Sequence, residues 1–155
     1  MDRSAQLYTD GSCNTQRRHG AWVAIILTGE EKLILSGKAT ETTHNRMELI
    51  AVIKGIEYII NHYPIKAITI VSDSQYVIGL CARKEKLSAA NFTTKKGDSI
   101  QNADLVKELF SYEDNLSLEF LKIKAHQKKN ETVNYNIEAD KLARKIVREM
   151  VVKAI

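Results

Sequence analysis

The spacing of hydrophobic residues changes from that of strands to that of a helix after residue 43, and this change is the strongest constraint on the fold. Residues 5–10, 20–27 and 32–40 are apolar or alternating runs separated by turn residues, so they are predicted to be strands. After residue 43, apolar residues recur every three or four positions, as in an amphipathic helix: Leu49, Val52, Ile53, Ile56 and Ile60. The β-branched run 67–71 follows this helix and is therefore predicted to be a buried strand parallel to a neighbour.

The second half of the chain adds helices and one more strand. The apolar spacing predicts a helix beginning at 76–80, helices over 103–110 and 138–151, and a fifth strand over 116–123. Thr43 is predicted to cap the long helix, and Pro64 to close it. Since short connections favour antiparallel pairing of the first three strands, we expect an α/β protein with a mixed sheet and helices on its faces. Residues 1–155 are predicted to form one domain.

Composition excludes several classes of protein. The chain has 155 residues, of which 44% are hydrophobic and 27% charged, as is typical of globular proteins. Its uncharged apolar runs fall far short of the ~20 residues of a membrane span, and its first six residues contain no apolar signal region. Cys13 and Cys81 form neither a disulfide framework nor a zinc-binding pattern. We therefore expect a cytoplasmic protein without a membrane partner.

The net charge of +4 is concentrated in one segment. Residues 83–97 contain five basic side chains and one acid, so this basic segment by itself carries a net charge of +4. The five are Arg83, Lys84, Lys86, Lys95 and Lys96. Such a run is either a solvated surface segment or a surface that contacts the phosphate backbone of a nucleic acid.

Four acidic residues stand at the ends of predicted elements. Asp10 ends the first strand, where it could instead be a turn residue before Gly11. Asp73 follows the buried run 67–71, where it could instead be a helix N-cap. Glu48 and Asp140 lie early in predicted helices, where an acid is favourable near the positive end of the helix dipole. Taken singly, none of the four indicates a function.

Considered together, the four acids suggest a metal site. Two strand ends and two helix starts can converge in a sheet with helices packed on it. Four converging carboxylates repel one another and raise each other's pKa unless a cation neutralises them. Oxygen ligands of this kind suit hard divalent cations, above all Mg²⁺. Two such ions would serve phosphoryl transfer, because one activates water and the other stabilises the leaving oxygen.

Five motifs, in order along the chain, resemble those of a known family. They are Tyr-Thr-Asp-Gly-Ser-Cys at 8–13, Thr-His-Asn-Arg-Met-Glu-Leu at 43–49, Ser-Asp-Ser-Gln-Tyr-Val at 72–77, Asn-Ala-Asp-Leu at 102–105, and Ala-His at 125–126 followed by Ala-Asp-Lys-Leu-Ala at 139–143. The chain resembles a type 1 ribonuclease H, the family that cleaves the RNA strand of RNA–DNA hybrids. The resemblance implies the ribonuclease H fold, a five-stranded mixed sheet flanked by helices. It also implies a metal-dependent endonuclease that leaves 5′-phosphate and 3′-hydroxyl ends.

The resemblance assigns roles to individual residues. Asp10, Glu48, Asp73 and Asp140 correspond to the catalytic carboxylates that bind two Mg²⁺ ions, for which Mn²⁺ is a substitute. His126 corresponds to a catalytic histidine that assists proton transfer or product release.

Other residues correspond to contacts with the RNA–DNA hybrid. Asn45 and Gln75 correspond to minor-groove contacts, where the 2′-hydroxyl distinguishes RNA from DNA. His44 stands where a minor-groove asparagine is common, and Thr43 corresponds to a phosphate contact on the DNA strand. The contact with the RNA strand corresponds to Cys13, Asn14 and Gln16. The basic segment corresponds in place to the family's basic protrusion.

Two alternatives stay open from the sequence. The same domain could belong to a viral or retroelement reverse transcriptase, although the start at Met1, close to the first strand, favours a free-standing enzyme, expected to be a monomer. A protein of a different class, a non-catalytic module that binds hybrids through the basic segment, would not need the four acids.

Overall fold

The computed structural model describes residues 4–29, 31–123 and 131–153, and this part of the chain forms one five-stranded sheet. The strands are β1 (Ser4–Asn14), β2 (His19–Thr28), β3 (Glu31–Ala39), β4 (Ala67–Ser72) and β5 (Ser117–Lys122). Their order across the sheet is β3-β2-β1-β4-β5. β1, β2 and β3 pair antiparallel, whereas β4 is parallel to both β1 and β5. The predicted mixed sheet is confirmed.

The helices of the described residues flank this sheet. They are α1 (His44–His62), α2 (Gln75–Ala82), α3 (Lys84–Ala89), α4 (Ala103–Asn115) and α5 (Glu131–Lys153). α1 begins where predicted, because Thr43 Oγ1 accepts a hydrogen bond from the backbone N–H of Arg46 at 3.2 Å. It ends at His62, two residues before Pro64, as predicted. Among the helices described, none has the length and apolar character needed to cross a membrane.

Two apolar layers hold the helices against opposite faces of the sheet. On one face, Leu7 of β1 belongs to a buried cluster with Leu49 of α1 and Leu109 of α4. On the other face, Tyr8 of β1 packs in a second cluster with Ala143 of α5. Leu7 and Tyr8 reach different layers because successive strand residues point to opposite faces. The middle of β1 is therefore enclosed by helices on both sides.

Two predicted boundaries and one predicted position were wrong, and all three concern the acidic residues. β1 does not end at Asp10, because Gly11 continues the ladder opposite Trp22 and the pairing runs on to Asn14. α5 begins at Glu131, so Asp140 lies well inside the helix and not in its first turn. α1 begins at His44 and carries no acid in its first turn, so Glu48 lies in the second turn. A favourable helix dipole therefore does not explain Glu48 or Asp140.

Candidate functional site

The predicted carboxylates come together where β1, α1 and the end of β4 meet. Asp10 lies within β1, Glu48 within α1, and Asp73 directly after β4. One oxygen of each of these three residues lies within 4.8 Å of those of the other two. Asp140, from α5, lines the same cleft, whose volume is about 550 Å³. We call these four residues the acidic cluster.

Neither of the two strand-associated acids serves as a turn residue or a helix cap. Asp10 is not in a turn, because it pairs with Val23 inside the β1–β2 ladder. Asp73 is not the N-cap of α2, because Ser74 Oγ accepts the capping hydrogen bond from the N–H of Val77 at 3.2 Å. The local backbone structure therefore does not account for a carboxylate at either position.

Gly11 brings β1 and α1 into direct backbone contact at the acidic cluster. A Cβ atom at this position would lie 2.4 Å from the backbone nitrogen of Glu48 and 2.6 Å from the carbonyl carbon of Met47. Only glycine permits this approach, since any side chain would collide with the backbone of α1. The close approach of Asp10 to Glu48 therefore depends on the absence of a side chain at position 11.

Burial and mutual repulsion raise the pKa of two members of the cluster. Asp10 is 3% exposed and Glu48 is 2% exposed. Desolvation by burial, with the charges of Glu48, Asp73 and Asp140, raises the pKa of Asp10 to about 9. Desolvation also raises the pKa of Glu48, and the hydrogen bond from His44 opposes this effect. A cation between the carboxylates would oppose both shifts, because an opposite charge favours the ionised form of each group.

Two basic side chains contact the cluster, each one helical turn from its carboxylate. His44 Nε2 lies 3.1 Å from Glu48 Oε1, and this hydrogen bond raises the pKa of His44. Arg144 Nε donates to Asp140 Oδ1 at 3.1 Å. Two further oxygens, Asp10 Oδ2 and Glu48 Oε2, are buried and have no hydrogen-bond partner within the described residues. Buried acceptors of this kind are costly unless a ligand satisfies them.

The donor set fits a hard divalent cation. It consists of carboxylate oxygens, two of which are buried without a partner among the described residues, and Mg²⁺ binds such oxygens in preference to softer ligands. Cys13 also lines the cleft, but its Sγ donates to the carbonyl oxygen of Thr42 at 3.6 Å. Burial raises the pKa of this thiol, which disfavours the thiolate that soft metals require.

The structure groups some of the predicted substrate contacts and separates others. Four of the predicted substrate contacts line the cleft together with the acidic cluster: Cys13, His44, Asn45 and Gln75. Thr43 lies beside them as the exposed N-cap of α1. Asn14 Oδ1 instead accepts a hydrogen bond from the N–H of Arg17 at 2.9 Å in the β1–β2 turn, where Gln16 is exposed. His126 lies outside the described residues.

The basic segment covers α3 and the turns that follow it, and its five basic side chains are not equivalent. Lys84 Nζ lies 2.7 Å from Asp114 Oδ1 and 3.8 Å from Glu113 Oε2, so it ties α3 to α4. Arg83 Nε donates to a backbone carbonyl one turn earlier, at 3.3 Å. The remaining three are exposed and form no ion pair with any described residue: Lys86, Lys95 and Lys96.

Sequence reasoning missed five residues that line the cleft: Gly11, Ser12, Ser74, Tyr76 and Arg144. Arg144 stands four residues after Asp140, and this helical spacing was the available signal. Gly11 is predicted from the sequence to lie in a turn, although a glycine inside a strand also indicates close backbone approach. Tyr76 lines the cleft, and its hydroxyl accepts a hydrogen bond from Asn102 Nδ2 at 3.1 Å. Nothing in its local sequence distinguished it from a core aromatic.

The fold and the acidic cluster define a protein of the ribonuclease H-like class. The chain is similar in structure to LC9-RNase H1, described as a type 1 RNase H with the type 2 active-site motif, with a TM-score of 0.79. The match covers 96% of this chain and 74% of that chain at 20% identity, so it supports the fold alone.

Sequence comparisons give the family. The family model for RNase H matches residues 2–148. The chain is 32% identical to the ribonuclease H of Caldicellulosiruptor saccharolyticus, over 93% of this chain and 96% of that protein. It is 36% identical to the ribonuclease H of Thermoanaerobacter sp. (strain X514), over 89% and 86% respectively. The chain therefore belongs to the RNase H family and is a ribonuclease H enzyme.

Proposed function

We propose that this chain is an endonuclease that hydrolyses the RNA strand of RNA–DNA hybrids with two divalent ions, Mg²⁺ above all, and leaves 5′-phosphate and 3′-hydroxyl ends. The observation that carries this proposal is the acidic cluster, in which oxygens of Asp10, Glu48 and Asp73 lie within 4.8 Å of one another in a chain of the RNase H family. Carboxylates at this separation repel one another and so destabilise the fold, whereas a bound cation neutralises them.

Each part of the cleft has a task in this reaction. Bound divalent ions would supply an activated water and charge stabilisation at the leaving oxygen. Asp10, Glu48, Asp73 and Asp140 would hold them at the junction of the sheet with α1 and α5. Asn45 and Gln75 line the same cleft and would contact the minor groove, where RNA displays its 2′-hydroxyl groups. No side chain is required as a nucleophile, since water attacks the phosphorus.

A cleavage assay tests the proposal. The purified protein is incubated with an end-labelled RNA–DNA hybrid in Mg²⁺, in Mn²⁺ and in excess chelator, with matched RNA and DNA duplexes as controls. We expect cuts within the RNA strand of the hybrid alone, in either metal, and phosphate at the 5′ ends of the products. Intact RNA in a sample shown to be folded would reject the proposal, and binding without cleavage would favour the non-catalytic module.

We further propose that residues 1–155 act as one domain and as a monomer. The sheet joins β1 to β5, and α5, at the end of the described residues, shares an apolar cluster with β1. Sedimentation of the purified chain at the concentrations of the cleavage assay measures its oligomeric state. A dimer that stays active on dilution would contradict it.

The exposed lysines of the basic segment are predicted to contact backbone phosphates. The double substitution Lys95→Gln and Lys96→Gln is expected to weaken hybrid binding and to reduce the slope of log K against log salt by roughly 0.7–0.9 for each phosphate that is no longer neutralised. Hybrid binding measured over a series of salt concentrations gives this slope. The matched control is Lys54→Gln with Lys66→Gln, two exposed lysines outside the segment, and an equal change in both doubles would contradict the prediction.

His126 is predicted, from its sequence motif alone, to increase the rate of RNA cleavage. A histidine titrates near pH ~6.5 and can pass a proton to the leaving oxygen at neutral pH. General acid–base assistance contributes typically ~10²–10⁴-fold, so His126→Ala should lower kcat within that range and leave KM within a few-fold. Steady-state kinetics on a hybrid at saturating Mg²⁺ separate the two constants. A steep rise in KM with unchanged kcat would instead make His126 a substrate contact.

A further inference from the structure

His44 and Glu48 form a contact that the predicted minor-groove role of His44 does not explain. His44 lies in the first turn of α1 and Glu48 one turn later. Helical side chains lean toward the N-terminus, so the Glu48 carboxylate is directed back toward the imidazole. The distance from His44 Nε2 to Glu48 Oε1 is 3.1 Å. The histidine side chain is 59% exposed and the glutamate 2% exposed, so the contact joins the surface of the cleft to its buried wall.

The two oxygens of Glu48 have different surroundings. Oε1 receives the hydrogen bond from His44, whereas Oε2 is buried and has no partner in the described part of the chain. Glu48 also lies close to Asp10 and Asp73, with ligand oxygens within 4.8 Å. Like charges at this separation would drive a glutamate side chain toward another rotamer. The bond to His44 opposes that rotation and leaves Oε2 free for a cation.

We propose that His44 is a positioning residue for the divalent cation, which fixes the Glu48 carboxylate through Oε1 and so presents Oε2 to the ion. Partners that orient a metal-binding carboxylate in this way typically contribute about 10–100-fold to metal affinity or activity. This inference rests on the proposed function only in that the acidic cluster binds a divalent cation. It assigns to His44 a role in metal affinity, in place of the contact with the hybrid predicted from the sequence.

Calorimetry with Mn²⁺ tests the role without any turnover. The titrations compare the parent chain with His44→Ala, His44→Gln and His62→Ala at one fixed pH. His44→Ala removes the donor, whereas His44→Gln supplies an amide N–H that can reach a carboxylate one turn away. His62→Ala makes the same substitution on the same helix, about 27 Å along its axis. His62 lies at the end of α1, with Nδ1 2.9 Å from the carbonyl oxygen of Tyr58 and its ring stacked on the Tyr58 ring.

We expect His44→Ala to weaken Mn²⁺ binding by about 10-fold or more. His44→Gln should recover part of this loss, and His62→Ala should bind Mn²⁺ like the parent. In the cleavage assay, the Mg²⁺ concentration for half-maximal rate should rise with His44→Ala. KM for the hybrid at saturating Mg²⁺ should stay within a few-fold of the parent value, because the substitution removes no hybrid contact. Circular dichroism confirms that each variant is folded.

Three results would overturn the inference. The first is Mn²⁺ binding by His44→Ala that equals or exceeds that of the parent. The second is a rise in hybrid KM with unchanged Mn²⁺ affinity, which would make His44 a nucleic-acid contact. The third is a loss with His44→Ala that His44→Gln does not recover at all. If the parent binds Mn²⁺ but cleaves no hybrid, the proposed function fails while the calorimetry still decides the role of His44.

Discussion

Replacing Asp10 with asparagine is expected to abolish hybrid cleavage while the protein stays folded and binds the hybrid. Asparagine keeps the shape of the side chain but removes the charge that would fix the metal ions at the centre of the acidic cluster. The reduction in rate should exceed the ~10²–10⁴-fold typical of removing an acid–base group. Single-turnover cleavage at saturating Mg²⁺ and a binding assay measure the two properties. Turnover near the parental rate would refute the assignment of Asp10.

The same substitution should change how stability depends on pH in excess chelator. The pKa of Asp10 is raised from 3.8 to about 9 by burial and by its acidic neighbours. Between these values the folded chain holds a proton that the unfolded chain has released, so the free energy of unfolding falls as pH rises. Melting temperatures at pH 5 and pH 8 should therefore differ less for Asp10→Asn than for the parent. Equal differences in the two proteins would contradict this origin of the pH dependence.

Replacing Gly11 with alanine should damage both the fold and the site, because the new methyl group would press on backbone atoms of α1. Its Cβ would lie 2.4 Å from the nitrogen of Glu48, and a helix backbone cannot move aside as a side chain does. Overpacking of this kind typically costs about 1–3 kcal/mol. Displacement of Glu48 by about 1 Å can cost about 10²-fold in rate. Urea denaturation and hybrid cleavage by the folded protein measure these effects.

Two other glycines serve as controls for Gly11. Gly55→Ala would press on the side chain of Leu7 at 2.4 Å, away from the acidic cluster, and should lower stability while the folded fraction cleaves normally. Gly79→Ala meets no atom within 4 Å, and should stabilise α2 by roughly 0.5–1 kcal/mol. If Gly55→Ala lowers the rate of the folded protein as much as Gly11→Ala does, the damage is general and not a matter of the distance from Asp10 to Glu48.

The parts of the fold that could be predicted from the sequence are those that depend on patterns within short segments of the chain. Alternation and β-branching predict the strands, and the apolar spacing and the cap at Thr43 predict α1. The parallel pairing of β4 follows from the helix before it. These signals are local, and the structure confirms them.

The parts that were not predictable depend on contacts between distant segments. Gly11 belongs to β1 because it pairs with Trp22. In the sequence, however, an Asp followed by a Gly is typical of a turn. In the first residues of α5, Val133, Tyr135 and Ile137 alternate with polar residues, and this spacing does not indicate a helix. In the sequence Lys84 is one more charge of a basic run, and only the fold brings Asp114 within 2.7 Å of it. The four acids could be named from the sequence, but the bond from His44 to Glu48 required coordinates.

The contribution of α5 to the cleft has a consequence for the timing of activity during synthesis. Asp10, Glu48 and Asp73 lie in the first half of the chain, whereas Asp140 belongs to a helix that packs on β1 from the other face of the sheet. A nascent chain that has not yet released α5 from the ribosome carries three of the four carboxylates and an uncovered sheet face. The full set is assembled only after Asp140 has left the ribosome, so we expect a chain that stops before α5 to cleave no hybrid.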